Sequence, residues 1–349
     1  MQMSSKYPDI NTIAVRVFTD KPVRKTPYQV KGVLMNQFPD EEIVPMLDGS
    51  YRDKYLYPRV QVKILNEQIY IIGIGEGVDS VKAIAKKMEF MDFGNITFQV
   101  LNNEIEEHSD RFQPVAKLIR YRFVTPWVAL NQTTGSRYRF LNNVDRVNFL
   151  NRLLGQNIVF MAREMGMELK ENIFTKVTLS SLFPKPVDEN NWGSFDGEFR
   201  ANFVLPNYLG IGNGITRGYG TLFGLFNPEV FSFNEGDLKD LESQAVKDED
   251  EPTVAESNLQ EIDVKKVPRS KKVPGQFKTR PKRSKKVLSE EFDIEEDEAA
   301  YETPVAKSPK KSEASPAPKI RNKKPKVDES DSSDVNYNSE KYHKKQHSL

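Results

Sequence analysis

The chain contains no cysteine. Disulfides, thiolate zinc sites and cysteine nucleophiles are therefore excluded. Histidine is nearly as scarce: His108, His343 and His347 are the three in 349 residues. No apolar signal core opens the sequence and no run is long enough to span a membrane, so the expectation is a soluble cytoplasmic protein with no membrane partner. There is no excess charge of either sign, with 51 Lys and Arg against 50 Asp and Glu. The total argues neither for nor against nucleic acid, and the distribution has to decide.

That distribution is uneven. Nearly all aromatic and β-branched residues precede Asn234, and the remainder is built from Lys, Glu, Asp, Ser and Pro. Because a single core rarely grows past about 250 residues, the expected division is a first domain over 1–110, a second over 111–234, and a disordered charged tail over 235–349. Within the tail, residues 265–286 hold eleven Lys or Arg in twenty-two and no acid. Pro268, Pro274 and Pro281 keep this stretch from forming a helix. Such a segment can hold RNA loosely, and mixed-charge tails also serve simply to solvate.

The first hundred residues alternate legibly. Residues 10–18 have β-branched side chains at strand spacing, and 27–38 read as a helix opened by Pro27. Residues 59–65 and 68–74 are strands joined by Asn66-Glu67 as a hairpin. A helix over 75–90 and a strand over 96–101 close the unit. The order β-α-β-β-α-β predicts an α+β fold of the ferredoxin-like (RRM-like) kind. A second unit repeats it: a strand over 117–124, a long amphipathic helix over 144–165, strands over 173–182 and 194–205, and a last strand over 219–226. Tandem ferredoxin-like domains are the expected architecture.

Between the last two strands lies a run with five glycines, Gly210, Gly212, Gly214, Gly218 and Gly220, around one cation, Arg217. Glycine lets a backbone approach a ligand closely, so the run can aim several N–H groups at a polyanion. It lacks the Gly-Lys-Ser/Thr of a P-loop, and it leads into a strand where a dinucleotide fold requires a helix. Arg120 and Arg122 lie on one face of a predicted strand, with Tyr121 and Phe123 on the other. The loop Gly135-Ser136-Arg137-Tyr138-Arg139 adds two exposed arginines suited to RNA.

A Gly-x-Gly-x-x-x-Arg-Gly-x-Gly run before the final strand of a tandem ferredoxin-like chain resembles the RAMP superfamily of CRISPR RNA-binding proteins, in particular its repeat-processing endoribonucleases. The resemblance rests on Tyr57-Pro58-Arg59-Val60-Gln61-Val62-Lys63, Ile71-Ile72-Gly73-Ile74-Gly75-Glu76-Gly77, Thr125-Pro126-Trp127-Val128-Ala129-Leu130-Asn131-Gln132, Phe195-Asp196-Gly197-Glu198-Phe199 and the glycine run. It implies CRISPR repeat RNA with a stem-loop as substrate, other CRISPR effector subunits as partners, and no metal or other cofactor. It further implies attack of a ribose 2′-hydroxyl on the neighbouring phosphate.

Such a step needs a base, an acid and cations for the phosphorane charge. Relatives sharing the Tyr-Pro-x-Val-Gln motif are expected to carry histidine in the preceding loop. Residues 45–58 contain none, and His108 lies among acids on the connector between units. Tyr51 and Lys54 are the remaining candidates for proton transfer, with Arg52 beside them for phosphate. Tyrosine and lysine titrate near 10 in peptides, which suits a slow enzyme, or a catalytically silent RNA-binding scaffold. Both readings stay open on the sequence. A metal-dependent nucleotide enzyme ranks below them for want of a clustered Asp/Glu/His set.

Overall fold

The computed structural model describes residues 7–187, 192–225 and 256–268. The first unit runs β1 (Thr12–Thr19), α1 (Pro27–Gln37), α2 (Val44–Leu47), β2 (Val60–Leu65), β3 (Gln68–Ile74), α3 (Gly77–Lys87), β4 (Phe90–Asp92) and β5 (Thr97–His108). Its sheet has the order β2-β3-β1-β5-β4. The first four of these strands are the ferredoxin-like arrangement. Ile13, Val15 and Val17 of β1 point to one face, where they are buried with Val30 and Leu34 of α1 and Val81 and Ile84 of α3. Thr26 caps α1 in a capping box with Gln29, a device worth about 1 kcal/mol.

The second unit comprises β6 (Gln113–Phe123), β7 (Trp127–Leu130), α4 (Gln132–Tyr138), α5 (Asn143–Glu164), β8 (Ile173–Leu179), β9 (Lys185–Val187), β10 (Trp192–Phe195), β11 (Gly197–Val204), β12 (Leu222–Gly224) and β13 (Gln260–Ile262). Its main sheet is ordered β12-β6-β11-β8-β13, and a small sheet is ordered β7-β10-β9. The first four strands of the main sheet repeat the ferredoxin-like order. The tandem ferredoxin-like architecture read from the sequence is therefore present.

Three details differ from the sequence reading. The strand expected over 96–101 continues to His108, because its polar half still pairs with β1 along Thr12 to Phe18. Strand β12 is shorter than 219–226, because Tyr219, Gly220 and Thr221 belong to the glycine loop's own hydrogen bonding. Residues 256–268, counted with the tail on composition, form β13 and a short turn of helix. Ile262, Val264 and Val267 are buried there, a spacing of apolar residues too sparse to read among the surrounding charges. The rest of 226–349 lies outside the described residues, including 269–286 of the basic stretch 265–286.

Candidate functional site

The glycine loop fills the seam between the two units, and the side chains that seat it come from the motifs around it. Gly210 donates its N–H to Gln61 Oε1 at 2.9 Å. Gln61 Nε2 donates to the Tyr57 hydroxyl at 3.0 Å, and that hydroxyl donates to the Gly210 carbonyl at 2.6 Å. Both polar groups of Gly210 are thus held in a closed ring of hydrogen bonds. Burial pushes the Tyr57 phenol far up, against a smaller downward pull from Gln61 and Arg59. It is therefore a permanent donor.

Lys63 lies beside this ring with 0% exposure. Its ammonium donates to the carbonyls of Ile215 at 3.0 Å and Tyr219 at 3.4 Å. A buried cation is costly unless such acceptors surround it. From the second unit, the Thr125 hydroxyl donates to the Gly218 carbonyl at 2.8 Å. Pro126 and Val128 accept the N–H groups of Gly220 and Asn213, each at 2.9 Å.

Most of the loop's amides consequently turn inward. Those of Gly210, Ile211, Asn213, Arg217, Gly218 and Gly220 are all bonded within the protein, which corrects the expectation of a phosphate cradle built from these N–H groups. The glycines serve close packing instead. At Gly220, with φ of +64°, an added Cβ would collide with the Ile211 carbonyl oxygen. At Gly212, with φ of +90°, a Cβ would sit 2.6 Å from the Trp127 indole nitrogen.

Arg217 is the loop's one cation and is half-buried. It ends a single turn of 3-10 helix, Ile215–Arg217, flanked by Gly214 and Gly218 in left-handed conformations. Lys63 grips the carbonyls two residues to either side. The guanidinium lies 4.7 Å from the Trp192 ring centre and 5.5 Å from that of Tyr219. Trp192 is buried on β10 and forms the floor under this cation.

The second candidate element, residues 48–57, leads into β2 at the same seam. Tyr51 accepts backbone N–H groups from Lys54 and Tyr55 through its carbonyl, a turn that brings three side chains together. The Tyr51 and Tyr55 rings meet edge to face at 6.0 Å. Lys54 Nζ stands 5.0 Å and 4.9 Å from their centres. A hydrogen bond and charge interaction with Tyr55, with smaller help from Tyr51 and Glu76, hold the Lys54 ammonium above its ordinary range. It therefore stays a cation at neutral pH.

The exit of this element is rigid. Leu56 and Tyr57 donate their N–H groups to the Glu164 carboxylate at the end of α5. Arg59, 4% exposed, pairs with Glu76 at 2.7 Å, donates to the Glu164 carbonyl at 2.6 Å and lies 4.6 Å from the Tyr55 ring centre. Burial works to raise the Glu76 carboxyl, but its own backbone N–H and Arg59 outweigh that and hold it low. Tyr51 remains 36% exposed, and Arg52 beside it is half-buried.

Arg137 and Arg139 are exposed, but Arg137 sits on a helix and only Arg139 in the turn that follows it. Asn131 and Thr134 form a capping box that starts α4, so Arg137 lies in its last turn and Arg139 follows it. Tyr138 between them is buried and donates to the Leu182 carbonyl at 2.7 Å. It cannot stack on a base. The aromatic side chain that can is Phe140, 91% exposed immediately after Arg139; the sequence signal was an Arg-Phe pair just past the helix. His108 ends β5, where burial and Arg111 hold its imidazole low. Nothing in its contacts links it to residues 48–57.

A seam of this construction, two ferredoxin-like units closed over a glycine-rich loop, defines a RAMP-type protein of the CRISPR repeat-processing class. The Cas6b N-terminal domain model matches residues 8–111 and the Cas6b C-terminal domain model matches residues 113–224. The chain belongs to the Cas6b family. A structure described as a crystal structure of Cas6b is 29% identical, with a TM-score of 0.54, covering 62% of this chain and 100% of its own. Another, described as the CRISPR RNA processing endoribonuclease Cas6b, is 28% identical with a TM-score of 0.48 over the same shares. An uncharacterized protein of Methanocaldococcus jannaschii is 29% identical over 125 residues, which are 36% of this chain and 85% of that one. No helix among the described residues is long and apolar enough to cross a membrane.

Proposed function

We propose that the chain recognises CRISPR repeat RNA and cuts it without metal, by attack of a ribose 2′-oxygen on the adjoining phosphorus. The new O2′–P bond forms as the P–O5′ bond breaks. The products are a 2′,3′-cyclic phosphate and a 5′-hydroxyl, and the proton lost from O2′ is balanced by the one taken up at O5′. The resulting guide RNA is what other CRISPR effector subunits take up.

The observation that carries this reading is the Tyr51–Lys54–Tyr55 cluster, a fixed cation between two phenols at the seam sealed by the glycine loop. Lys54 faces the charge that develops on the phosphorane. The exposed Tyr51 hydroxyl carries the proton step. Arg52, Arg217, Arg137 and Arg139 supply phosphate contacts along the bound strand, and Gly210, Gly212, Gly214, Gly218 and Gly220 support Arg217 from behind. One observation favours a second reading, a catalytically silent RNA-binding scaffold: residues 45–58 hold no histidine.

Single-turnover cleavage of a labelled repeat hairpin separates the two. Lys54→Ala should slow cleavage by about 10²- to 10³-fold, and Tyr51→Phe by about 10²- to 10⁴-fold, with little change in RNA affinity for either. Equal rates for wild type and both variants would remove this cluster from the chemistry. Tight binding by a wild type that leaves the hairpin whole would establish the scaffold.

A further inference from the structure

Among the described residues, no helix covers the outer face of the second sheet. On β6 and β11 the inward residues Ile119, Tyr121, Phe123, Phe199 and Ala201 are buried, so the alternate residues Arg120, Arg122, Glu198 and Arg200 point to solvent. The strand registers set them in two rows. Phe223, Arg122, Glu198 and Thr178 stand opposite one another in the first, and Arg120, Arg200 and Lys176 in the second. Four cations therefore face outward on strands about 4.8 Å apart.

A single carboxylate restrains two of them. Glu198 accepts from Arg120 Nε at 2.7 Å, and from Arg122 Nε and a terminal nitrogen at 3.0 Å and 2.9 Å. Burial acts to raise its carboxyl, and the two guanidiniums more than reverse that. Both arginine side chains stay more than half exposed. Lys176 pairs with Glu256 at 3.2 Å, at the far edge of the face.

We propose that this face is a track for the phosphodiester backbone of a single-stranded stretch of RNA, and that Glu198 sets its affinity by neutralising Arg120 and Arg122 in the free protein. The inference rests on the RNA reading given above. A flat, cationic surface with an aromatic ring at its border, here the half-buried Phe223 beside Arg122, holds unpaired strands with little regard to sequence. An arriving phosphate competes with the Glu198 carboxylate for the same guanidinium N–H groups and is repelled by it. Glu198→Gln keeps the shape and removes both effects.

The test measures binding of the full chain to a labelled repeat hairpin, and to the same hairpin carrying a single-stranded extension of about ten nucleotides. Glu198→Gln should tighten binding of the extended RNA several-fold at low salt and steepen its log–log salt slope by about 0.7 for each further phosphate neutralised. The bare hairpin should bind and be cut as before. Arg200→Ala should weaken the extended RNA and flatten its slope by about 0.7. If neither variant changes the extended RNA while Glu198→Gln lowers the melting temperature, the pairs merely stitch β6 to β11 and the inference is overturned. A wild type that binds the hairpin with no added affinity from the extension overturns it too, leaving the RNA reading intact. A wild type that binds neither RNA sinks both.

Discussion

Lys63 shows how much of this seam hangs on single side chains. Its ammonium has no exposure and holds two carbonyls of the glycine loop. In Lys63→Met the apolar stem is kept but the carbonyls lose that donor, at about 1–3 kcal/mol for each buried acceptor left unsatisfied. Urea unfolding should show a free energy of unfolding lowered by that amount, seen as a lower midpoint at unchanged slope, and an unchanged midpoint would mean that water replaces the ammonium. His108 gives a prediction in pH. Its imidazole titrates lower in the folded chain than the ordinary 6.5 or so, chiefly through burial and then Arg111. The unfolded chain then binds more protons, so the stability it contributes is full above about 6.5 and is lost as pH falls from there through the lower value of the folded chain. Wild type should lose stability between pH 7 and pH 5 that His108→Gln retains, read as the difference in their melting temperatures at each pH.

At the scale of elements, much was legible. Strict alternation over 59–65 gave β2, the apolar run over 68–74 gave β3, and the apolar spacing of Phe149, Leu150, Leu153, Leu154 and Ile158 gave α5, whose period reports one buried face. The motifs carrying the resemblance were legible as a set, but their work was not. Tyr57, Gln61, Lys63 and Thr125 look like site residues in a linear sequence, and only the fold reveals that they hold the loop's backbone. Helix α4 escaped notice because its start depends on the Asn131–Thr134 capping box in a stretch rich in turn-forming residues.

Strand β13 escaped because it pairs with β8 as Gln260 with Thr175 and Ile262 with Ile173, far beyond any local signal. Here Ile262 packs against Gly155, where an added Cβ would overlap it, and Arg163 donates to the carbonyls of Val264, Val267 and Pro268. Ile262→Ala should cost about 2–5 kcal/mol. A loss under about 0.5 kcal/mol, the level of an ordinary surface substitution, would show that this segment does not contribute to the core.

For the whole molecule, the two units are one functional body because the first supplies the clamp and the second the clamped loop. RNA affinity should depend on both and fall steeply with salt as phosphate counterions are released. The most direct measurement of the central claim uses wild-type protein in excess EDTA with two repeat hairpins, one all-ribose and one carrying 2′-deoxyribose at the scissile position. The account predicts that the ribose hairpin is cut to a 2′,3′-cyclic phosphate and a 5′-hydroxyl while the deoxy hairpin is bound and left whole. Cleavage of the deoxy hairpin, or cleavage of the ribose hairpin that EDTA abolishes, would contradict it.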